Sequence, residues 1–469
     1  MGALELFLPE ATILLGAIVA FLLSVVGVRY RITWMCSMVM AALAGVTTAM
    51  HLGAHGQPFF PGIYTVDALS QLLKLGIVGG LFMTLLASGK LGSVRSNVRV
   101  DVPIYLMVSA LGMMMLVSAT ELLTLYVSLE LSAYGLYILA ALHTMRRQGG
   151  EAAAKYILFG AASSAVTLYG ISLVYGGTGS TYLSAIAATS SPLELVGLVL
   201  ALAGVLFKLA VFPFHAWAPD TYEGSPHQSA TFIGTASKVA AVGVLARLIF
   251  LALPNKDELA TVLLILCIAS MTVGNLAAIV QRDIKRLLAY STVAHAGYIL
   301  IGLLCFSKLG VAAALFYVLI YVPIAFGPFL VVCVLGADGS NPTRASLAGL
   351  YHRSPLLALT LMVGIFGLAG IPPTAGFAGK WFLFTAAIEG QHFWLVVIAA
   401  VNVTISIYYY LSIIKDAYLT PSDDDSAIRL SPASAVAACM SIAMVLVAGF
   451  YPRPLWELAE QAAKVLAGG

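Results

Sequence analysis

Charge is what this sequence has least of: only 10% of its 469 residues are Asp, Glu, Lys or Arg, against 61% hydrophobic residues and a mean hydropathy of +0.97. Too few polar groups remain to solvate a globular surface, so a soluble domain is excluded and a chain that crosses a membrane many times is implied. Cysteine is scarce as well. Cys36, Cys267, Cys305, Cys333 and Cys439 are scattered through apolar stretches without paired spacing, which argues against a disulfide framework or a metal site and leaves them as packing residues. A phosphate-cradling loop is missing too, since GGTGST at 176–181 has neither the lysine nor the spacing. No clustered Cys or His suits an iron–sulfur or zinc centre, and no pair of in-membrane His suggests haem ligation. Neither a metal, a cofactor, a redox centre nor a nucleotide site is expected in this chain.

What the sequence does have is apolar runs of spanning length, about 20 residues each. They fall at 4–28, 32–53, 66–88, 102–120, 121–142, 151–176, 192–214, 228–252, 258–280, 285–306, 309–336, 355–388, 391–415 and 432–452. The fold class this implies is an all-α polytopic membrane protein of about 14 transmembrane helices. Met1 to Pro9 lacks the basic start of a cleavable signal, so the first span is expected to stay.

Loop charge sets the orientation, because Lys and Arg accumulate on the cytoplasmic side. One set of alternating loops carries Arg29, Arg31, Lys90, Arg95, Arg99, Arg146, Arg147, Arg282, Lys285, Arg286, Arg344, Arg353, Lys415 and Arg429; the opposite set has only Lys256, Lys308, Arg453 and Lys464. Both termini are therefore expected on the non-cytoplasmic side. The net charge of +3 follows from the same rule and asks for no nucleic-acid partner.

Two spans are interrupted. The seventh reads LVLALAGVLFKLAVFPFHAWAPD, with Pro213 after Lys208, and the twelfth reads LMVGIFGLAGIPPTAGFAGKW, with Pro372 and Pro373 before Lys380. Proline removes a backbone donor and breaks a helix. Interrupted spans at corresponding places in two halves point to inverted repeats around a midplane ion site. Spans 4–8 and 9–13 are the expected five-helix units, each with its broken helix fourth. The chain then divides into an N-terminal three-helix region (1–101), a first repeat (102–252), a second repeat (253–415) and a C-terminal helix and tail (416–469).

Charges at bilayer depth are costly, so those inside spans are functional candidates, usually on ion or proton routes. Glu130 lies about nine residues into its span, roughly 14 Å deep at ~1.5 Å per residue, too far in to snorkel. Lys208 is its expected partner, and Lys238 sits near the centre of the eighth span among Ala and Ser. Lysine suits a relay because its proton is exchangeable, whereas Arg holds its own. Lys380 would play the corresponding part in the second unit, with His295 between it and Lys238; a lone His among small residues is either hydrogen-bonded structure or a shuttle. As a protonatable outlet, Lys380 is expected to tolerate replacement by Glu in part. Lys74 is either functional or faces a partner. Lys155 and Arg247 are expected to snorkel and Glu10 and Glu121 to be interfacial, because all lie near span ends. His215, Trp217, Asp220, Tyr222 and Glu223 read as a structured cytoplasmic loop.

Three stretches carry a family resemblance: FKLAVFPFHAWAPDTYEGSPHQSATFIGTASKVAAVGVLARL, NLAAIVQRDIKRLLAYSTVAHAGYILIGL and GLAGIPPTAGFAGKWFLFTAAI. Over roughly 100–415 the chain resembles the antiporter-like subunits of proton-pumping NADH-quinone oxidoreductase, respiratory complex I. PDTYEGSP, NVTISIYYYLSIIKDAYL and a Lys rather than Glu at 380 look like the N type, as does a length that ends after a fourteenth span. HQSATF departs from the threonine- and proline-rich stretch usual there, without touching the charged residues.

The resemblance implies fourteen helices in two inverted units. It also implies Glu130 and Lys208 as coupling pair, Lys238 as central relay and Lys380 as outlet-side lysine. NADH, FMN, iron–sulfur clusters and quinone would belong to partner subunits. Neighbours would be an antiporter-like M-type subunit and small K- or J-type subunits, in a bacterial plasma membrane with lipid around them. A subunit of a multisubunit cation/proton antiporter or of a membrane-bound hydrogenase is the alternative.

Overall fold

A computed structural model describes residues 3–53, 57–142, 147–186, 192–251, 256–422 and 426–466. Arg146 lies outside the described residues. The helices are α1 (Ala3–Leu6), α2 (Leu8–Val25), α3 (Tyr30–Met50), α4 (Ala68–Ala87), α5 (Val102–Ser118), α6 (Leu122–Ala141), α7 (Arg147–Thr178), α8 (Leu183–Ile186), α9 (Pro192–Ala201), α10 (Ala203–Leu209) and α11 (Trp217–Gly224). They continue as α12 (His227–Gly234), α13 (Ala236–Leu251), α14 (Lys256–Ile279), α15 (Ile284–Leu303), α16 (Lys308–Leu335), α17 (Leu350–Arg353), α18 (Pro355–Ala369), α19 (Ala375–Glu389), α20 (Phe393–Tyr418), α21 (Pro432–Phe450) and α22 (Arg453–Leu466).

Among the described residues, 12 helical stretches are long and apolar enough to cross a membrane. The two expected spans outside that set are α15 and the α18–α19 pair, whose halves are 15 residues each. Helix dominates because a bilayer cannot satisfy an open backbone group, and a helix satisfies its own. The ends are fixed by side-chain caps where the chain meets polar surroundings. Asp67 forms a capping box with Ser70 at the start of α4, and Glu121, Asp283, Ser307 and Ser431 accept first-turn amides at α6, α15, α16 and α21.

Both expected breaks are present, and each follows a residue in the left-handed conformation. After α10, Ala210 has φ 63°, Phe212–Pro213 is a cis peptide, and helix resumes at Trp217. After α18, Gly370 has φ 79°, Pro372–Pro373 is cis, and α19 starts at Ala375. A third discontinuity, at Thr235 between α12 and α13, was not expected from the sequence.

Two elements were not among the expected spans. An antiparallel hairpin, β1 (Gln57–Phe60) and β2 (Tyr64–Val66), joins α3 to α4. The expected C-terminal tail contains α22, a strongly amphipathic helix that packs along α16 and α4, with Trp456 against Phe382 at a ring separation of 4.1 Å. The interior is centred on α4, α12, α13, α15 and α16, where nearly every residue is buried. Apolar side chains such as Leu15, Phe21, Val39, Tyr169 and Trp394 are exposed on the outer faces, as in a protein solvated by lipid or neighbouring subunits.

Buried lysines at the helix breaks

Lys208 occupies the last turn of α10, just before the break, and is buried. Its Nζ donates to Ser132 Oγ of α6 at 2.8 Å, and that hydroxyl donates in turn to the Leu129 carbonyl at 2.6 Å. Glu130 lies half-buried on the same helix, where Ser164 of α7 donates its hydroxyl to Oε1. Glu130 and Lys208 line one small cavity together with Tyr137, Tyr156 and Phe207. They do not close an ion pair: each charge is held by a serine, and the pair is open in this conformation.

Lys238 sits in the first turn of α13, three residues beyond the Thr235 discontinuity. Its Nζ donates to the Lys208 carbonyl at 2.8 Å and lies 5.4 Å from the centre of the Trp217 ring. The two lysines are thereby joined through the end of α10, where the break frees carbonyls for outside donors. Trp217 is itself buried, stacks on Tyr156 at 4.5 Å and donates its indole N–H to the Phe207 carbonyl at 3.1 Å. The segment expected to be a cytoplasmic loop is thus corrected in part: Trp217 and Tyr222 are packed in the interior. Asp220 and Glu223 remain in a partly exposed charge cluster with Lys155 and Arg286.

In the second half, Lys380 of α19 is buried and donates to the carbonyls of Leu368 and Ala369, both at 2.9 Å. These are the last carbonyls of α18, left without intrahelical donors by the break. The Tyr298 ring of α15 covers the ammonium at 5.0 Å. His295, one turn earlier, lies edge-on to Tyr298 and hydrogen-bonds Tyr317 at 2.8 Å through Nδ1 and Tyr410 at 3.1 Å through Nε2. Tyr410 also bonds Ser291 at 2.6 Å, and Tyr321, its ring tilted against His295 at 5.3 Å, bonds Thr292 at 2.9 Å. Tyr222 packs 6.2 Å from the Trp217 ring, but its buried hydroxyl has no hydrogen-bond partner among the described residues, so aromatic packing rather than a hydrogen-bonded chain lies between the Lys238 site and His295.

The five expected residues lie in two constellations, one around Lys208 and Lys238 and one around His295 and Lys380. Ser132, Ser164, Trp217, Tyr298, Tyr317 and Tyr410 had not been singled out as site residues. For two the sequence held a signal: Ser132 follows Glu130 by two residues, and Tyr298 shares a helix face with His295 at i+3. The others come from distant segments.

Several expectations at span ends are overturned. Glu10 is not interfacial but fully buried, ion-paired with Lys74 at 2.6 Å. Arg247 does not snorkel: one guanidinium nitrogen holds both Asp67 oxygens at 2.7 and 2.9 Å, and Nε donates to the Val117 carbonyl at 3.1 Å. Lys155 stays partly exposed and pairs with Glu151 and Asp220. Lys285, read as a loop charge, is buried and donates to the Ser225 carbonyl at 2.8 Å. Glu121 caps α6, its carboxylate accepting from the amide and hydroxyl of Thr124. Among the described residues no group of His, Cys, Asp and Glu is arranged to hold a metal ion.

Fold and site together define a polytopic helical membrane protein of transporter type, with buried lysines seated where its helices break. The chain belongs to the family described as NADH:quinone oxidoreductase/Mrp antiporter, transmembrane, which residues 119–406 match. A protein of Syntrophobacter fumaroxidans named NADH-quinone oxidoreductase subunit N 2 is 45% identical over 467 residues, covering 98% of this chain and 99% of that one. A chain of respiratory complex I from Thermus thermophilus, solved with bound aureothin, superposes with a TM-score of 0.84 at 35% identity, covering 96% of this chain and 99% of that one. A chain of the Mrp complex from Dietzia sp. DQ12-45-1b gives a TM-score of 0.89 at 20% identity, with 99% and 97% covered, a likeness of fold alone.

Proposed function

We propose that this chain is the N-type, proton-translocating membrane subunit of a NADH-quinone oxidoreductase, driven by quinone reduction in other subunits. The observation that carries the reading is the Lys238–Lys208 contact through the broken end of α10, in a chain 45% identical over nearly its whole length to a protein of that name. A buried lysine that is seated on a backbone carbonyl and a serine, with no carboxylate bound to it, can lose its proton when its neighbourhood changes. Closing Glu130 onto Lys208 favours the ammonium; opening it, as here, favours release toward Lys238. His295 and Lys380 continue the route to the outlet.

The reading includes fourteen spans in two inverted five-helix repeats, at 102–252 and 253–415, between an N-terminal three-helix region at 1–101 and the C-terminal part at 416–469. Both termini lie on the non-cytoplasmic side of a bacterial plasma membrane. NADH, FMN, iron–sulfur clusters and quinone bind in partner subunits, and an M-type and small K- or J-type subunits flank this chain. The identity level favours this over a cation/proton antiporter, for which the likeness is one of fold.

Purification in mild detergent should bring down quinone-oxidoreductase subunits. In resealed vesicles, Lys208→Ala and Glu130→Ala should each remove most proton pumping from an assembled complex. Normal pumping by either variant would remove that residue from the relay.

A further inference from the structure

A second set of buried charges lies outside the relay, in the N-terminal three helices. Glu10 of α2 and Lys74 of α4 are both fully buried and 2.6 Å apart. Tyr64 of β2 donates its hydroxyl to the same carboxylate oxygen, Oε1, at 2.5 Å, and the Lys74 ammonium lies 5.5 Å from the Tyr64 ring centre. The Tyr64 hydrogen bond and the Lys74 ion pair thus converge on Oε1. The other oxygen, Oε2, is buried and has no hydrogen-bond partner among the described residues. Along α4, Gln71 is fully buried with both amide atoms in the same condition, and Asp67 is clasped by Arg247. Asp67, Gln71 and Lys74 stand at i, i+4 and i+7, which places them on one helix face.

That face runs beside the relay. α4 and α13 are antiparallel, in a register marked by small residues: a Cβ at Gly80 would meet Ala236, one at Gly76 would meet Val239, and one at Gly243 would meet Leu73. The Asp67–Arg247 pair closes the same register. The lane therefore descends along α13 from the level of Lys238 to that of Arg247, about 13 Å by helix rise, toward the end of the bundle that holds the first turn of α2. A fully buried ion pair is a poor source of stability compared with apolar packing. Polar atoms left without protein partners mark where water enters or a proton binds.

We propose that Glu10 is a proton-loading site, seated by Lys74 and Tyr64, on a branch that leads from Lys238 to the N-terminal side of the membrane with Asp67 and Arg247 at its mouth. This rests on the proton-translocation reading above. The proton leaves the Lys238 ammonium, giving the neutral amine, and passes through water to Glu10 Oε2, converting carboxylate to carboxylic acid. Release past Asp67 restores the carboxylate, and Lys74 stays protonated throughout as the counter-charge.

The test uses the assembled complex in resealed membrane vesicles. Glu10→Gln keeps the size of the side chain and its acceptor for Tyr64 while removing the titratable group. Quinone reduction should persist while protons moved per NADH oxidised fall, and a carboxylic-acid carbonyl band in the infrared difference between oxidised and turning-over enzyme should vanish. An unchanged proton ratio, or the absence of any Glu10-dependent band, would overturn the proposal. If the single variant fails to assemble, the neutral pair Glu10→Gln with Lys74→Met restores apolar packing. Normal pumping by that pair would show a static ion pair and overturn the proposal, whereas assembly with a lowered ratio supports it. Lys208→Met in the same assay separates the two readings: lost pumping there with an unaffected Glu10→Gln leaves the relay standing and removes the branch, and normal pumping by Lys208→Met removes the relay itself.

Discussion

The two broken helices hold their lysines by different means. Lys208 precedes its break and is bound by a side chain, Ser132, with Glu130 in the same cavity. Lys380 follows its break and is bound by main chain, the carbonyls of Leu368 and Ala369, under the ring of Tyr298. Side-chain partners can swing, so the first site is adjustable: a carboxylate can approach or withdraw. Helix-end carbonyls carry a fixed partial negative charge. The second site therefore offers its ammonium a constant environment, and what varies there is the hydroxyl and imidazole path through His295, Tyr317 and Tyr410. One half suits switching and the other suits passage.

The largest effect should come from removing either lysine. Lys208→Met and Lys380→Met would each delete a proposed proton carrier, a loss on the order of a hundredfold at that step, so pumping measured in vesicles at equal complex content should drop to background. Retained pumping by one of them would assign translocation to the other half alone. Next comes Lys380→Glu. Sequence reasoning grants it partial activity as another protonatable stop, but the geometry reverses that: a carboxylate would face two carbonyl oxygens at a helix C-terminus. It should pump no better than Lys380→Met, and a rate clearly above that variant would mean the site can rearrange.

Ser132→Ala tests the adjustable site more gently. It removes a hydrogen bond to a charged group, about 1.5–3 kcal/mol, and leaves Lys208 free to close onto Glu130. Pumping should slow several-fold with assembly intact, and an additional Glu130→Gln change should not slow it by the full amount that Glu130→Gln causes alone. Strict additivity of the two would show that Ser132 and Glu130 do not compete for Lys208. The smallest effects concern the left-handed residues at the breaks. Ala210→Gly should relieve about 1 kcal/mol of backbone strain and raise the thermal midpoint slightly. Gly370→Ala adds such strain, and its Cβ would sit 2.8 Å from Lys380 Cδ, so it should lower both stability and pumping. Equal midpoints for both variants and the unmutated protein would show that neither break is strained.

Much of this was legible in the sequence. The helical stretches follow the apolar runs, because a bilayer demands that length and that composition. The breaks follow Pro213 and the Pro372–Pro373 pair, and the buried charges announce themselves by their cost. What was not legible is partnership. Glu10 and Arg247 depart from the expectation because distance from a span end says how far a side chain must reach for water, and nothing about whether Lys74 or Asp67 waits on a neighbouring helix. Trp217 reads as loop in the sequence because the segment after a break carries polar residues at His215, Asp220 and Glu223; only the fold shows its ring turned inward beneath Lys238. The amphipathic α22 was too short and too polar to count as a span, and the sequence did not say that Trp456 would seat on Phe382.

The carbonyl seat of Lys380 also has a genetic consequence. A defect caused by changing Lys208 can in principle be offset elsewhere, because its partners Ser132 and Glu130 are themselves encoded side chains that a second mutation can alter. The partners of Lys380 are peptide oxygens, which every codon at positions 368 and 369 supplies alike. A search for suppressors should therefore recover second-site changes on α6 for lesions at 208, while lesions at 380 should yield chiefly true revertants.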